Sequence, residues 1–223
     1  MRRFLLGEKT EVQAWTNPYI TDGLVAMWDG EWNVGGGAHT ETMTEWTDIV
    51  SGRVADVRGT ARVGGKFVSL GGAQFGHCFC SDVSGLPTQG GSIEIAYMLR
   101  ATTSGLMFSS SELRFGIGPY SNNIVIGSYS RPVVSGKVLN QIQTLTAMQY
   151  PSTECYANGV QATMGGNDNW GAGTGMTFPG RYGATTVAGA SEVDFYCIRI
   201  YSRALTAAEI AANYAIDQRR FGL

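Results

Sequence analysis

Carbohydrate recognition in water asks for an aromatic face against the apolar side of a sugar, with amides and acids to bond its hydroxyls. The segment Asn167-Asp168-Asn169-Trp170 gathers those groups between glycines that let the backbone come close. Trp32, in Asp29-Gly30-Glu31-Trp32-Asn33, is a second aromatic beside acids. The candidate ligand-binding residues are therefore Trp170, Asn167, Asp168, Asn169 and Trp32. A loop tryptophan is equally suited to lid a core or to meet another subunit, because Trp is enriched in interfaces of every kind. Both readings of Trp170 stay open.

Hydrolysis of a glycoside needs two carboxyl groups flanking the scissile bond. The nearest approach is Glu192-Val193-Asp194-Phe195-Tyr196-Cys197, where the second catalytic carboxyl would fall on Cys197. Glu192 and Asp194 then read as solvated acids at a strand end. No G-x-S-x-G elbow and no recognisable Cys/His pair occur, and Gly35 to Gly37 lacks the Lys-[Ser/Thr] of a phosphate loop. No catalytic residue is expected, so the chain reads as a non-enzyme. His39 and His77 are far apart and no C-x-x-C pair exists, which leaves zinc without support. Asp29, Glu31 and Asp48 could offer oxygens to a hard cation, but solvated loop acids are the simpler reading. Neither a metal nor a cofactor is expected. Cys155 and Cys197 lie in apolar stretches that suit buried free thiols, Cys78 and Cys80 lie in line along one strand, and one disulfide between distant strands stays open.

Short apolar or alternating runs must position these residues: Leu24 to Trp28, Lys66 to Leu70, Ser92 to Leu99, Leu113 to Ile117, Asn123 to Ser128, Gln143 to Gln149, Glu154 to Ala157 and Val193 to Tyr201. No helical pattern separates them, which argues for a sandwich or barrel and against βαβ units. Asn158-Gly159 between extended segments predicts a two-residue hairpin turn. Thr206-Ala-Ala-Glu209 is a capping box, with Leu205 and Ile210 at the staple positions, and predicts one helix at the C-terminus. The 31 glycines in 223 residues fit a chain with many turns. A charged fraction of 15% and a net charge of −2 exclude a disordered polar chain and give no electrostatic footprint for nucleic acid. No run is long enough to span a membrane, and the Phe4-Leu5-Leu6 stretch is too short for a signal peptide.

The closing stretch Phe195 to Tyr214 resembles the last strand and helix of laminin-G-like, concanavalin A-like jelly rolls. Their pattern v-R-I-Y-n-R-x-L-[ST]-x-x-E-I is matched by Arg199, Ile200, Tyr201, Arg203, Leu205, Thr206, Glu209 and Ile210. Gly23 to Trp28, Trp46 to Gly52, Ser92 to Tyr97 and Tyr156 to Val160 are similar to further segments in the family's order. The resemblance implies an all-β, two-sheet antiparallel sandwich with a short C-terminal helix, over residues 21–223, preceded by a leader or attachment arm at 1–20. Trp28 and Trp46 are expected in the core. Tyr196, Ile198 and Ile200 are expected to face it, and Phe195, Cys197, Arg199 and Tyr201 to face away.

The laminarinase-type hydrolases of this superfamily carry E-x-D-x-x-E, which Cys197 interrupts here. Relatives that bind Ca²⁺ use an Asp where this chain has Tyr196, so the resemblance does not imply calcium. The W-D-G after the first strand and the A-N-Y-A-I-D-x-x-R-F ending resemble proteins of gut bacteria and their phages and prophages. The expected function is a non-catalytic module binding carbohydrate on a cell surface, extracellular or virion-associated. The other class is a structural or host-attachment part of a phage particle, working by protein contacts and as a homo-oligomer.

Overall fold

The structure is a computed structural model and describes residues 16–32, 43–71, 76–87, 90–101, 105–110, 116–120, 123–126, 132–135, 138–148, 154–162, 174–180 and 191–223. In chain order the strands are β1 (Leu24–Asp29), β2 (Glu45–Thr47), β3 (Val54–Arg58), β4 (Arg62–Val63), β5 (Val68–Leu70), β6 (His77–Cys80), β7 (Ser92–Leu99) and β8 (Phe108–Ser110). They continue as β9 (Gly116–Tyr120), β10 (Asn123–Ile126), β11 (Pro132–Ser135), β12 (Ile142–Met148), β13 (Glu154–Ala157), β14 (Val160–Ala162), β15 (Met176–Phe178) and β16 (Val193–Tyr201), before the helix α1 (Ala207–Phe221).

Two eight-stranded antiparallel sheets result, as the alternating pattern and the family resemblance led one to expect. The first runs β14-β13-β12-β7-β16-β5-β4, and β1 also pairs with β16. One edge of β16 is thus shared, its first residues meeting β5 and its last meeting β1, while β7 takes the whole opposite edge. The second sheet runs β11-β10-β9-β8-β15-β6-β3-β2. Sheets with apolar inner faces must stack, and the layer between these two holds Trp28, Trp46, Phe108, Phe178 and Phe195.

Phe178 is the hub of that layer. Its ring lies 5.3 Å from Trp28, 5.8 Å from Trp46 and 6.3 Å from Phe195. Buried indole N–H groups need acceptors. Trp28 Nε1 donates to the Trp46 carbonyl at 3.0 Å, and Trp46 Nε1 to the Asp29 carbonyl at 3.1 Å, so each tryptophan ties the first sheet to the second.

The facing of β16 differs from the expected alternation. Ile198 and Ile200 do point into the main core, but so does Phe195, while Tyr196 packs in a separate layer with Cys197, Met27 and Phe221. The cause is a register shift between Phe195 and Cys197 against β7, where Phe195 opposes Tyr97 and Cys197 opposes Ala96. One extra residue reverses the face of everything before it.

The local signals came out as read. Asn158 and Gly159 have φ of 50° and 74° and join β13 to β14 with Ala157 opposite Val160. In α1 the Thr206 hydroxyl accepts from the Glu209 N–H at 3.3 Å, and the Glu209 carboxylate accepts from the Thr206 N–H at 2.8 Å. Leu205 and Ile210 are both buried, and Gly222 closes the helix at φ 77°. All four cysteines are free and buried. Burial pushes the Cys80 thiol up to about 11 and that of Cys155 up to about 12, which keeps them protonated and unreactive.

Candidate functional site

A sandwich offers two outer faces to a ligand, and here α1 closes one of them. In register across the first sheet lie Met27, Arg199, Glu94, Thr146 and Tyr156. Arg199 is 1% exposed and Glu94 2%, so a charged pair sits under the helix. Arg199 Nε donates to Glu94 at 3.0 Å, and its two terminal nitrogens donate to both Asp217 oxygens at 2.7 and 2.6 Å. Asn213 from the same helix donates to Glu94 at 2.7 Å and to the Tyr201 hydroxyl at 2.9 Å. Burial works against the Arg199 charge, but Asp217 and Glu94 together outweigh it and hold its pKa well above the ordinary value. Burial likewise raises the Glu94 carboxyl, with Arg199 pulling the other way. Each of these polar groups is met by a neighbour, which makes the cluster a structural joint between α1 and the sheet.

The segment before β1 belongs to this joint. Tyr19, 4% exposed, donates to Asp217 at 2.7 Å, and the Arg199 guanidinium lies 4.0 Å over its ring. The Ile20 N–H donates to Asn213 at 3.0 Å. These residues, on the arm side of the boundary drawn at 20/21, are held by the domain.

Of the ligand-binding candidates, only Trp32 falls among the described residues. Asn167, Asp168, Asn169 and Trp170 lie outside them, in the connection between β14 and β15. Trp32 is half-buried on a turn organised by Asp29, whose carboxylate accepts from the Glu31 N–H at 3.0 Å and the Trp32 N–H at 3.3 Å.

Three of the acids read as solvated, Asp29, Asp48 and Asp194, prove to be buried and neutralised, while Glu31 and Glu192 stay partly exposed. Asp29 is fully buried and pairs with Arg220 at 2.7 Å, and Glu31 meets the same guanidinium at 3.2 Å. Asp48, also fully buried, accepts from the N–H groups of Met27 and Val50 at 2.7 and 2.8 Å and pairs with Arg53 at 3.2 Å. Asp194, 1% exposed, accepts from Ser69 at 2.6 Å and from Arg100 at 2.6 Å. In each case an arginine supplies the positive charge that a carboxylate needs in a dry setting. No group of three or more His, Cys, Asp or Glu placed to hold a metal ion occurs among the described residues, and no described helix is long and apolar enough to cross a membrane.

The second sheet presents a different outer face. Across it in register lie Glu45, Asp56, Phe79, Thr177 and Ser109. Thr177 and Ser109 are buried, Phe79 is half-buried, and Asp56 and Glu45 are exposed, so the face opens towards β3 and β2. In the next row Arg58 stands opposite His77. The exposed Arg58 guanidinium lies 4.1 Å from the centre of the Phe79 ring. Burial first, and the Arg58 charge second, lower the His77 pKa, so its imidazole is neutral at pH 7. An aromatic flanked by a carboxylate and a guanidinium supplies both the packing surface and the hydroxyl partners that a sugar requires.

This patch was missed in the sequence. The alternation Val54-Ala55-Asp56-Val57-Arg58 puts Asp56 and Arg58 on one face, but their meeting with Phe79 depends on pairing across 21 or more residues of chain, which no local pattern encodes.

No protein-family model matches the chain, and no curated protein sequence matches it. Among solved structures, the Trypanosoma rangeli sialidase in complex with 2,3-difluoro-KDN is similar with a TM-score of 0.63 at 14% identity, over 89% of this chain and 33% of that one. The binding domain of botulinum neurotoxin DC in complex with SialylT gives a TM-score of 0.56 at 12% identity, over 79% and 51%. The same binding domain in complex with rat synaptotagmin II gives 0.60 at 13%, over 88% and 52%. The chain spans about a third of the sialidase and about half of the toxin domain. At such identities the likeness is one of fold alone, a two-sheet antiparallel β-sandwich.

Proposed function

We propose that the chain is a non-catalytic binding module that recognises carbohydrate on a cell surface, acting outside the cell or on a virion. The observation that carries this reading is the half-buried Phe79 ring between Asp56 and Arg58 on the outer face left open by α1. The sugar's apolar face would pack beside the Arg58 guanidinium that lies over the Phe79 ring, with Asp56 accepting from its hydroxyls and Arg58 donating to them. The likeness to a toxin binding domain in complex with SialylT supports the same reading. The non-catalytic reading is supported at the incomplete acid pair of Glu192 and Asp194, where Asp194 is committed to Ser69 and Arg100.

The Asn167-Asp168-Asn169-Trp170 segment is the second place where a sugar could be held, and Trp32 the third. Screening the full chain against immobilised glycans tests the proposal. Binding that falls in Phe79→Ala and persists in Trp170→Ala is expected, and binding to no glycan overturns it.

A second reading is supported by the likeness to the toxin domain in complex with rat synaptotagmin II. On it the chain is a structural or host-attachment component of a phage or prophage particle, working by protein contacts and as a homo-oligomer. Loss of all glycan binding together with a stable oligomer in light scattering would favour it.

A further inference from the structure

Resting on the carbohydrate reading, we infer that the ligand carries a carboxylate, and that Arg58 is the group that selects it. Of the other described arginines, five are matched to acids, Arg53 to Asp48, Arg100 to Asp194, Arg199 to Glu94 and Asp217, Arg203 to Asp22 and Glu209, and Arg220 to Asp29 and Glu31, while the exposed Arg62 and Arg219 have no carboxylate partner among the described residues. Arg58 has no carboxylate partner among the described residues. It lies over Phe79 instead, although Asp56 stands two residues away on the same face.

A guanidinium over a ring keeps its N–H edge free for a planar acceptor, and a carboxylate fits that edge through two parallel hydrogen bonds. Directly opposite Arg58 is His77, which is 4% exposed and whose Nδ1 has no hydrogen-bond partner among the described residues. A buried ring nitrogen without a partner is costly unless something outside the chain meets it. The two groups face the same side of β3 and β6, with Phe79 beside them under the guanidinium. Asp56 and Glu45, directly opposite each other on β3 and β2, set the outer limit of this positive spot. Their charge repels an anion that approaches from the β2 edge, so the acid group is confined to the Arg58 end. The ligand class is an acidic sugar, a sialic or uronic acid, bound with its carboxylate on Arg58 and its ring beside the Arg58 and Phe79 pair.

The test is a titration of the full chain with matched probes by calorimetry: sialyllactose against lactose, and a uronic-acid oligosaccharide against its neutral counterpart. One acidic probe is expected to bind about tenfold or more tightly than its neutral partner, the scale of a charge-assisted hydrogen bond. Arg58→Gln should remove that preference while leaving the melting temperature within about 2 °C, since the side chain is exposed. Asp56→Asn, which removes the repelling charge, should widen the ratio of acidic to neutral affinity. Equal affinity for acidic and neutral partners overturns the inference and leaves the carbohydrate reading standing. An acidic preference that survives Arg58→Gln also overturns it. Failure of every acidic and neutral sugar to bind removes both.

Discussion

The Arg199 guanidinium and the Asp217 carboxylate meet through two parallel hydrogen bonds of 2.7 and 2.6 Å, with both side chains at 1% exposure or less. This bond fixes α1 to the outer face of the first sheet and so decides which face of the sandwich is left for a ligand. Removing one partner of such a pair leaves a charge buried without compensation, which costs about 3–5 kcal/mol. Asp217→Ala should therefore lower unfolding stability by that amount in urea. A loss under about 1 kcal/mol would mean that the helix is held by its apolar side alone.

Tyr19 reaches the same carboxylate from the segment before β1. Tyr19→Phe keeps the ring under Arg199 and deletes only the hydroxyl, so about 1–2 kcal/mol should be lost. Tyr19→Ala also removes the packed ring and should cost more, about 3 kcal/mol or above. Equal effects of the two variants in thermal or urea unfolding would show that the phenol oxygen is idle.

The stability of the helix start depends on pH in a definite direction. The hydrogen bond from Arg203, above all, and those from Thr206 hold the Glu209 carboxyl down to about 2 from an ordinary 4.5. The folded group thus binds fewer protons than the unfolded one over that range. Its stabilisation is complete above 4.5 and is lost as the pH falls towards about 2. Partial exposure screens the ion pair, so Glu209→Gln should cost about 1 kcal/mol at pH 7. The variant should converge with the parent near pH 2. Parallel stability curves between pH 5 and 2 would contradict this. Glu94, raised by burial, acts in the opposite sense: its contribution is complete at low pH and declines as the pH rises through its folded value.

In the hairpin turn at Gly159 a side chain would meet both backbone and packing limits. Its φ is 74°, and a Cβ there would stand 2.7 Å from the Tyr214 ring. Gly159→Ala should cost about 1–2 kcal/mol in unfolding experiments. An unchanged stability would show that Tyr214 moves aside freely.

These cases also show how much could be read before the structure. Turn and cap chemistry is local, and Asn158-Gly159 and Thr206 with Glu209 formed as their spacing required. From its C-terminal end β16 followed the expected alternation back to Cys197 and departed from it at Tyr196 and Phe195, because the bulge there is set by pairing with β7 and has no signature of its own. The strands β2, β4, β8 and β15 have two or three residues each and carry too little pattern to register as elements. Asp29 and Asp194 looked solvated for a similar reason, since the arginines that neutralise them come from other parts of the chain. Phe79 and Arg58 were hidden in the same way. A binding face made of separate strands exists only once the strands have paired.

The central claim, carbohydrate recognition on the outer face of the second sheet, is tested most directly by one comparison. The highest-ranking glycan from the screen is titrated into the parent chain, Phe79→Ala and Trp170→Ala. Recognition at Phe79 predicts that Phe79→Ala weakens binding by about 1–3 kcal/mol, as for an aromatic anchor, while Trp170→Ala changes it by under about 0.5 kcal/mol. Unchanged affinity in Phe79→Ala with a loss in Trp170→Ala would move the site to the connection between β14 and β15 and contradict the assignment.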